Sequence, residues 1–313
     1  MRCLIVDKMH DSILPMLESI GVDATYRPDA TRPEILKEID NYEGIIIRSK
    51  TTIDQEFIKL APQLKWIARA GAGIDKLDIA AIEQRGISIF NAPEGNRNAV
   101  AEHVLGMILN MLNNLHKGDL EIRAGVWDRE GNRGSELAGK TVGLLGYGFM
   151  GMAVARKMRA LGCRVIAFDK YKSSFSDEYV QQVTMPELFR ETDIFSIHIP
   201  LTKETKALVD DNYLSNFEKP IYLINTARGE VLRLDDLLTH LANGKVLGAG
   251  LDVLENEKIN QLSPAQQVTF NHLIKSGNVL LSPHVAGWSF ESYKRINEVL
   301  IQKLENYLKS FTH

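Results

Sequence analysis

A length of 313 residues suits about two domains, each large enough for its own core. A net charge of −3, from 37 basic and 40 acidic side chains, argues against general affinity for nucleic acid or an acidic membrane. Only two cysteines are present, so no disulfide framework exists; Cys3 and Cys163 sit in or beside apolar strands and are expected as small buried hydrophobes.

In chain order, Met1 to Asp7 reads as a first strand rather than a signal peptide, so a cytoplasmic protein is expected. Further apolar runs at 44–47, 66–68 and 87–90 predict strands, as does 3–6 at the start. Helix patterns lie between them at 12–20 and 33–39, the second opened by a Thr31/Glu34 capping box. Such alternation implies a parallel sheet covered on both faces. Residues 91–96 read as a turn-rich break before a long helix from 97 to 117, which carries Glu102 and His103 and does not suit a bilayer. A polar stretch, 123–139, leads to a strand at 141–145. Later strands are expected at 194–198, 221–225, 248–251 and 279–281, and one closing helix from Ser289. The early strands need another helix to cover their sheet, and the closing helix can supply it. The expectation is therefore a discontinuous substrate domain, 1–96 and 287–313, with a nucleotide domain, 97–286, inserted into it. Crossings near Arg97 and Ala286 would act as hinges, and a ligand would sit between the domains.

Residues 141–170 carry the most specific signal. The strand runs into Gly146-Tyr147-Gly148-Phe149-Met150-Gly151, then a helix pattern through Val154 and Met158 to Gly162, then a strand at 165–168 ending on Asp169. Strand, Gly-x-Gly-x-x-Gly, helix, strand and acid form the dinucleotide-binding fingerprint. Gly146 permits the turn, Gly148 lets the backbone approach a pyrophosphate, and Gly151 lets helix pack on strand. The phosphates would lie at the helix N-terminus. Asp169 would take a ribose diol and favour NAD over NADP, a preference that Lys170 and Lys172 weaken. No metal site is expected.

Three polar groups follow successive strands in this half: Asn225-Thr226-Ala227-Arg228-Gly229, Asp252 to Glu257, and Ser282-Pro283-His284. An arginine, a carboxylate and a histidine near a nicotinamide suit hydride transfer at a hydroxyl-bearing carbon. The histidine exchanges the hydroxyl proton, a buried carboxylate holds its tautomer, and the arginine fork matches a substrate carboxylate. Glu255 lies two residues from Glu257 and is an alternative partner.

With Arg69 to Asp75, Asn98 to His103, His198 to Thr202 and Pro283 to Gly287 added in order, the chain resembles the D-isomer-specific 2-hydroxyacid dehydrogenases over essentially its whole length. The resemblance implies an α/β fold of two Rossmann-like or flavodoxin-like domains with parallel sheets. It implies catalytic roles for Arg228, Glu257 and His284. It implies an NAD site lined by Gly146, Gly148, Phe149, Met150, Gly151, Asp169, His198, Pro200, Thr205, Thr226, Ala227, Arg228, Asp252, His284, Ala286 and Gly287. The backbone of Gly71, Ala72 and Gly73 would meet the substrate carboxylate. A homodimer joined through the nucleotide domains, with the helix near Ala99 at its interface, is also implied. Lys258 departs from the family, which usually has Pro after the catalytic Glu, and the segment 258–277 is long with its own helix pattern.

Arg48, Ser49 and Arg69 resemble the segments that phosphoglycerate dehydrogenases set against the substrate phosphate. The expected reaction is oxidation of 3-phospho-D-glycerate to 3-phosphohydroxypyruvate with NAD, a step toward serine. A glyoxylate or hydroxypyruvate reductase is the alternative within the family, and an NAD(H)-sensing corepressor-like binding protein the alternative of another class. The sequence stops soon after the closing helix, so the added regulatory domain of some phosphoglycerate dehydrogenases is not expected.

Overall fold

A computed structural model describes residues 1–310; residues 311–313, the end of the expected substrate-domain segment, lie outside the described residues. The chain forms two compact units, Met1–Arg97 together with the residues from Trp288 on, and Asn98–Gly287.

The first unit is built on β1 (Arg2–Ile5), β2 (Asp23–Tyr26), β3 (Gly44–Ile47), β4 (Trp66–Arg69) and β5 (Ser88–Asn91). All pairings are parallel, in the order β2-β1-β3-β4-β5. β3 is buried along its whole length, as a central parallel strand covered on both faces should be. β2 was not expected: Asp-Ala-Thr-Tyr has no apolar run because this edge strand is only half-buried. Helices α1 (Ile13–Ser19), α2 (Arg32–Glu38), α3 (Gln55–Leu60) and α4 (Ile79–Gln84) connect the strands. α2 opens on the expected Thr31/Glu34 capping box. The C-terminal helix, Phe290–Lys309, buries Ile296, Leu300, Ile301 and Leu304 against Cys3, Ile5, Leu17 and Trp66.

The break expected at 91–96 is instead the start of α5 (Pro93–Leu112). Proline is favoured in the first turn, where its missing N–H costs nothing. Gly95 is a packing residue there, because a Cβ on it would lie 2.8 Å from the Ile296 backbone. The helix also stops short of 117. Asn114 takes a left-handed φ of 52°, and a separate helix, α6 (Leu115–Arg123), follows.

The second unit holds β6 (Thr141–Leu145), β7 (Arg164–Phe168), β8 (Gln181–Gln182), β9 (Ile194–Ile197), β10 (Ile221–Asn225), β11 (Val246–Leu251) and β12 (Val279–Leu281). They form one parallel sheet in the order β12-β11-β10-β9-β6-β7-β8. α7 (Phe149–Ala160), α8 (Met185–Glu191), α9 (Asp211–Ser215), α10 (Leu234–Ala242) and α11 (Pro264–Lys275) complete it. Val104, Ile108, Val154 and Met158 pack with Val142 and Leu144 in one core cluster, and Phe217, Leu237 and Leu273 with Phe195 and Leu223 in another. The expected α/β class with parallel sheets holds in both units. Cys3 and Cys163 are fully buried, and burial pushes both thiols up, away from reactivity. Among the described residues no helix is long and apolar enough to cross a membrane.

Candidate active site

Strand order in the second unit reverses between β6 and β9, and open parallel sheets bind ligands outside the carboxyl ends of their strands at such a point. β6 ends in the glycine turn. Gly146 has φ +97°, and a Cβ on it would lie 2.7 Å from the His198 carbonyl at the end of β9, so only glycine fits. Gly148 is the N-cap of α7, and a Cβ there meets nothing within 4 Å. Phe149, Met150 and Gly151 form the first turn of α7, where helix N–H groups have no intrahelical acceptor.

Asp169, just past β7, holds this turn from the side. Its carboxylate accepts from Tyr147 N at 2.9 Å, Tyr171 N at 3.0 Å and Lys172 N at 3.2 Å. A carboxylate has about four acceptor positions, so these bonds leave little beyond one for a ribose. Lys170 is paired with Glu204 at 2.5 Å, and Lys172 Nζ donates to the Tyr147 carbonyl at 2.7 Å. Both lysines are therefore committed. His198 bonds Ser196 Oγ at 2.9 Å, and burial pushes its imidazole down to about 4. Thr205 Oγ1 is used within its own loop, donating to the Pro200 carbonyl at 2.7 Å.

After β10, the buried Asn225 side chain staples the next loop, donating to Arg228 O at 3.0 Å and accepting from Ala227 N at 3.0 Å. Arg228 Nη1 donates to Ala227 O at 2.7 Å. Thr226 Oγ1 is buried and has no hydrogen-bond partner. After β11, Asp252 is 1% exposed, and its carboxylate accepts from Ser282 Oγ at 2.5 Å, Val285 N at 2.9 Å and Ala286 N at 2.8 Å. It anchors the loop after β12. His284 sits in that loop with a left-handed φ of 54°, and its N–H donates to Asp252 O at 2.8 Å. Its Nδ1 lies 2.7 Å from Glu257 Oε1. Glu255 is turned elsewhere, onto Leu234 N at 3.2 Å. Glu257 is about half exposed, not the buried carboxylate expected. The reason is local: it lies in the polar run Glu255–Lys258 beyond β11.

In the first unit the order β2-β1-β3-β4-β5 reverses between β1 and β3. Asp7, buried just past β1, accepts from Arg48 N at 2.7 Å and Lys50 N at 3.3 Å, so it shapes the Arg48–Ser49 turn. Nothing in the sequence around Asp7 marks this, because its partners lie some forty residues on. The Arg48 guanidinium stacks 3.4 Å over the Trp288 ring and 5.4 Å from that of Tyr293. Among the described residues no carboxylate forms an ion pair with it. Ser49 is exposed, and its carbonyl accepts from Lys76 Nζ. Arg69 ends β4 and leads into Gly71-Ala72-Gly73, where Asn91 Nδ2 donates to Ala72 O at 2.7 Å. Among the described residues the N–H groups of Ala72 and Gly73 meet no acceptor.

Residues 105–286 match the family model "D-isomer specific 2-hydroxyacid dehydrogenase, NAD binding domain". A D-3-phosphoglycerate dehydrogenase of Archaeoglobus fulgidus is 32% identical over 311 residues, 99% of this chain and 58% of that relative. The chain therefore spans little more than half of that relative's length. A hydroxypyruvate reductase of Thermotoga maritima is 30% identical over 299 residues, 96% of this chain and 94% of that one. Among solved structures, D-lactate dehydrogenase from Aquifex aeolicus, complexed with NAD and lactic acid, is similar at a TM-score of 0.85. It is 26% identical, with 99% and 96% of the two chains covered.

Proposed function

The chain belongs to the D-isomer-specific 2-hydroxyacid dehydrogenases, NAD-dependent oxidoreductases acting on CH–OH groups, and from that premise we propose that it oxidises 3-phospho-D-glycerate to 3-phosphohydroxypyruvate. The observation that carries the catalytic part is the 2.7 Å pairing of His284 Nδ1 with Glu257. It supports an enzyme over a protein that only senses NAD(H), because it would hold a base in one tautomer.

The residues present fit NAD. The open space at Gly148, the first-turn donors of α7 and the partnerless buried hydroxyl of Thr226 suit a pyrophosphate and its neighbouring polar groups. Gly146 to Gly151, Asp169, the loops at His198–Thr205 and Thr226–Arg228, and the loop from His284 to Gly287 would hold it. When bound, the nicotinamide supplies the hydride acceptor.

With Nδ1–H on Glu257, His284 has Nε2 left to take the hydroxyl proton, and the adjacent carboxylate stabilises the imidazolium that results. We assign Arg228 to the substrate carboxylate, which its guanidinium fork suits; in the first unit, the backbone N–H groups of Ala72 and Gly73 suit an anion of the same kind. Asp252 acts on the loop rather than on the substrate. We assign Arg48 to the substrate phosphate, with Arg69 as its neighbour. Stacking on Trp288 fixes the guanidinium plane and leaves its edges for an anion. The opposing reading, a hydroxypyruvate reductase, is favoured by the full-length match to the Thermotoga enzyme.

Steady-state kinetics on 3-phosphoglycerate, glycerate and hydroxypyruvate separate the two. Losing a charge-assisted hydrogen bond costs about 1.5–3 kcal/mol, so Arg48→Ala should lower kcat/KM for the phosphorylated acid by about 10- to 100-fold and leave the plain acids nearly unchanged. An unaltered preference between them discards the phosphate assignment.

A further inference from the structure

His103, on α5, takes no part in the mechanism above, yet its imidazole reaches the anchor of the His284 loop. We propose that His103 is a positioning residue that holds the catalytic loop through Ser282 and Asp252. The proposal rests on the reading of His284 as the catalytic base.

The protons can be counted. A serine hydroxyl has one proton to give, and that of Ser282 goes to Asp252 Oδ1 at 2.5 Å. Ser282 Oγ must therefore accept from His103, whose Nε2 lies 2.9 Å away. His103 carries its proton on Nε2, and the same nitrogen is 3.6 Å from Asp252 Oδ1. The relay runs His103 to Ser282 to Asp252, and Asp252 then takes the N–H groups of Val285 and Ala286. Those amides follow His284 directly, and the N–H of His284 is itself on the Asp252 carbonyl. The loop is thus fastened at His284 and at the two residues beyond it, which holds the left-handed backbone there. A non-glycine residue keeps such a conformation only when its surroundings over-determine it. Without His103, the Ser282 hydroxyl loses its donor and can turn away from Asp252. One acceptor of the buried carboxylate then goes unmet, and the amides it holds are released in part.

The test uses the full chain with NAD. His103→Leu should lower kcat by about 5- to 20-fold, the equivalent of roughly 1–2 kcal/mol in the barrier. His103→Gln, which keeps an N–H donor, should recover most of the loss. Ser282→Ala should lower kcat to a similar degree, and the double variant should fall no further than either single one. A second readout is independent of turnover: amide exchange of Val285 and Ala286 should speed up about tenfold in His103→Leu and return toward normal in His103→Gln. Unchanged exchange, additive losses, or a loss that the glutamine does not rescue overturns the proposal. If His103→Leu does not fold, the Ser282→Ala and His103→Gln comparison decides on the same criteria. If the unaltered chain oxidises or reduces no 2-hydroxy or 2-keto acid, the functional reading fails while the exchange result still judges the relay.

Discussion

At the residue scale, His284, the proposed base, has a strained backbone. Its φ of 54° is uncommon outside glycine, although asparagine tolerates that region better than most residues. His284→Asn therefore removes the proposed base while keeping the loop. Turnover should fall by about 10²- to 10⁴-fold, whereas NADH affinity, measured by fluorescence titration, should stay within about threefold. A large loss of affinity with turnover intact would make His284 a cofactor contact and not the base. His198 supports a different prediction. Burial holds it neutral in the fold, with its pKa down at about 4, against roughly 6.5 in an unfolded chain. Between those values the unfolded state binds the extra proton, so stability rises with pH there and is lost as pH falls. Acidification from pH 7 to 5 should cost on the order of 2 kcal/mol through this group alone. His198→Asn should show a smaller drop in Tm between pH 7 and 5 than the unaltered chain. An equal drop would remove His198 as a source of acid sensitivity.

At the element scale, the glycine turn separates two kinds of glycine. A Cβ at Gly148 has open space and an ordinary φ, so Gly148→Ala should leave the Tm without NAD unchanged and weaken NAD binding by at least about tenfold, since the methyl fills the ligand's side of the turn. At Gly151 the added Cβ runs into the Gly146 carbonyl, so Gly151→Ala should destabilise the fold by about 1–3 kcal/mol in denaturant titration before any ligand is added. Matching effects at the two positions would contradict this division. The same contrast explains what was legible beforehand. Buried strands such as β3 and β6 announce themselves because both faces meet apolar layers. The edge strands β2 and β8, Asp-Ala-Thr-Tyr and Gln-Gln, leave no such run. Pro93 and Gly95 look like a break, but Pro93 opens α5 and the role of Gly95 depends on Ile296, two hundred residues away. Arg228, Glu257 and His284 stand out by following strands in order. Asp7, His103 and Asn225 are polar residues whose hydrogen-bond partners define them. For Asp7 and His103 those partners come from remote segments.

At the scale of the whole molecule, α6 has no buried residue, and Leu115, Leu120 and Ile122 are each more than half exposed on it. Trp127, just beyond, is 84% exposed. A lone surface leucine needs no explanation, but Leu115 and Ile122, seven residues apart, share one face of α6, and with Trp127 just beyond they are more apolar surface than a monomer usually leaves open to water. Burying each side chain is worth about 1.5–3 kcal/mol. We propose that a second copy of the chain covers this patch; the family resemblance implies a homodimer with the helix near Ala99, rather than α6, at its interface. Light scattering should give about twice 35.1 kDa at micromolar concentration. Ile122→Glu with Trp127→Asp should move the mass toward 35.1 kDa, because two carboxylates would have to be desolvated to rebuild the contact. The monomer so formed should still bind NADH, since neither residue belongs to the glycine turn or to the loops after β9 to β12. A single-chain mass for the unaltered protein would remove the dimer and leave the patch without an owner.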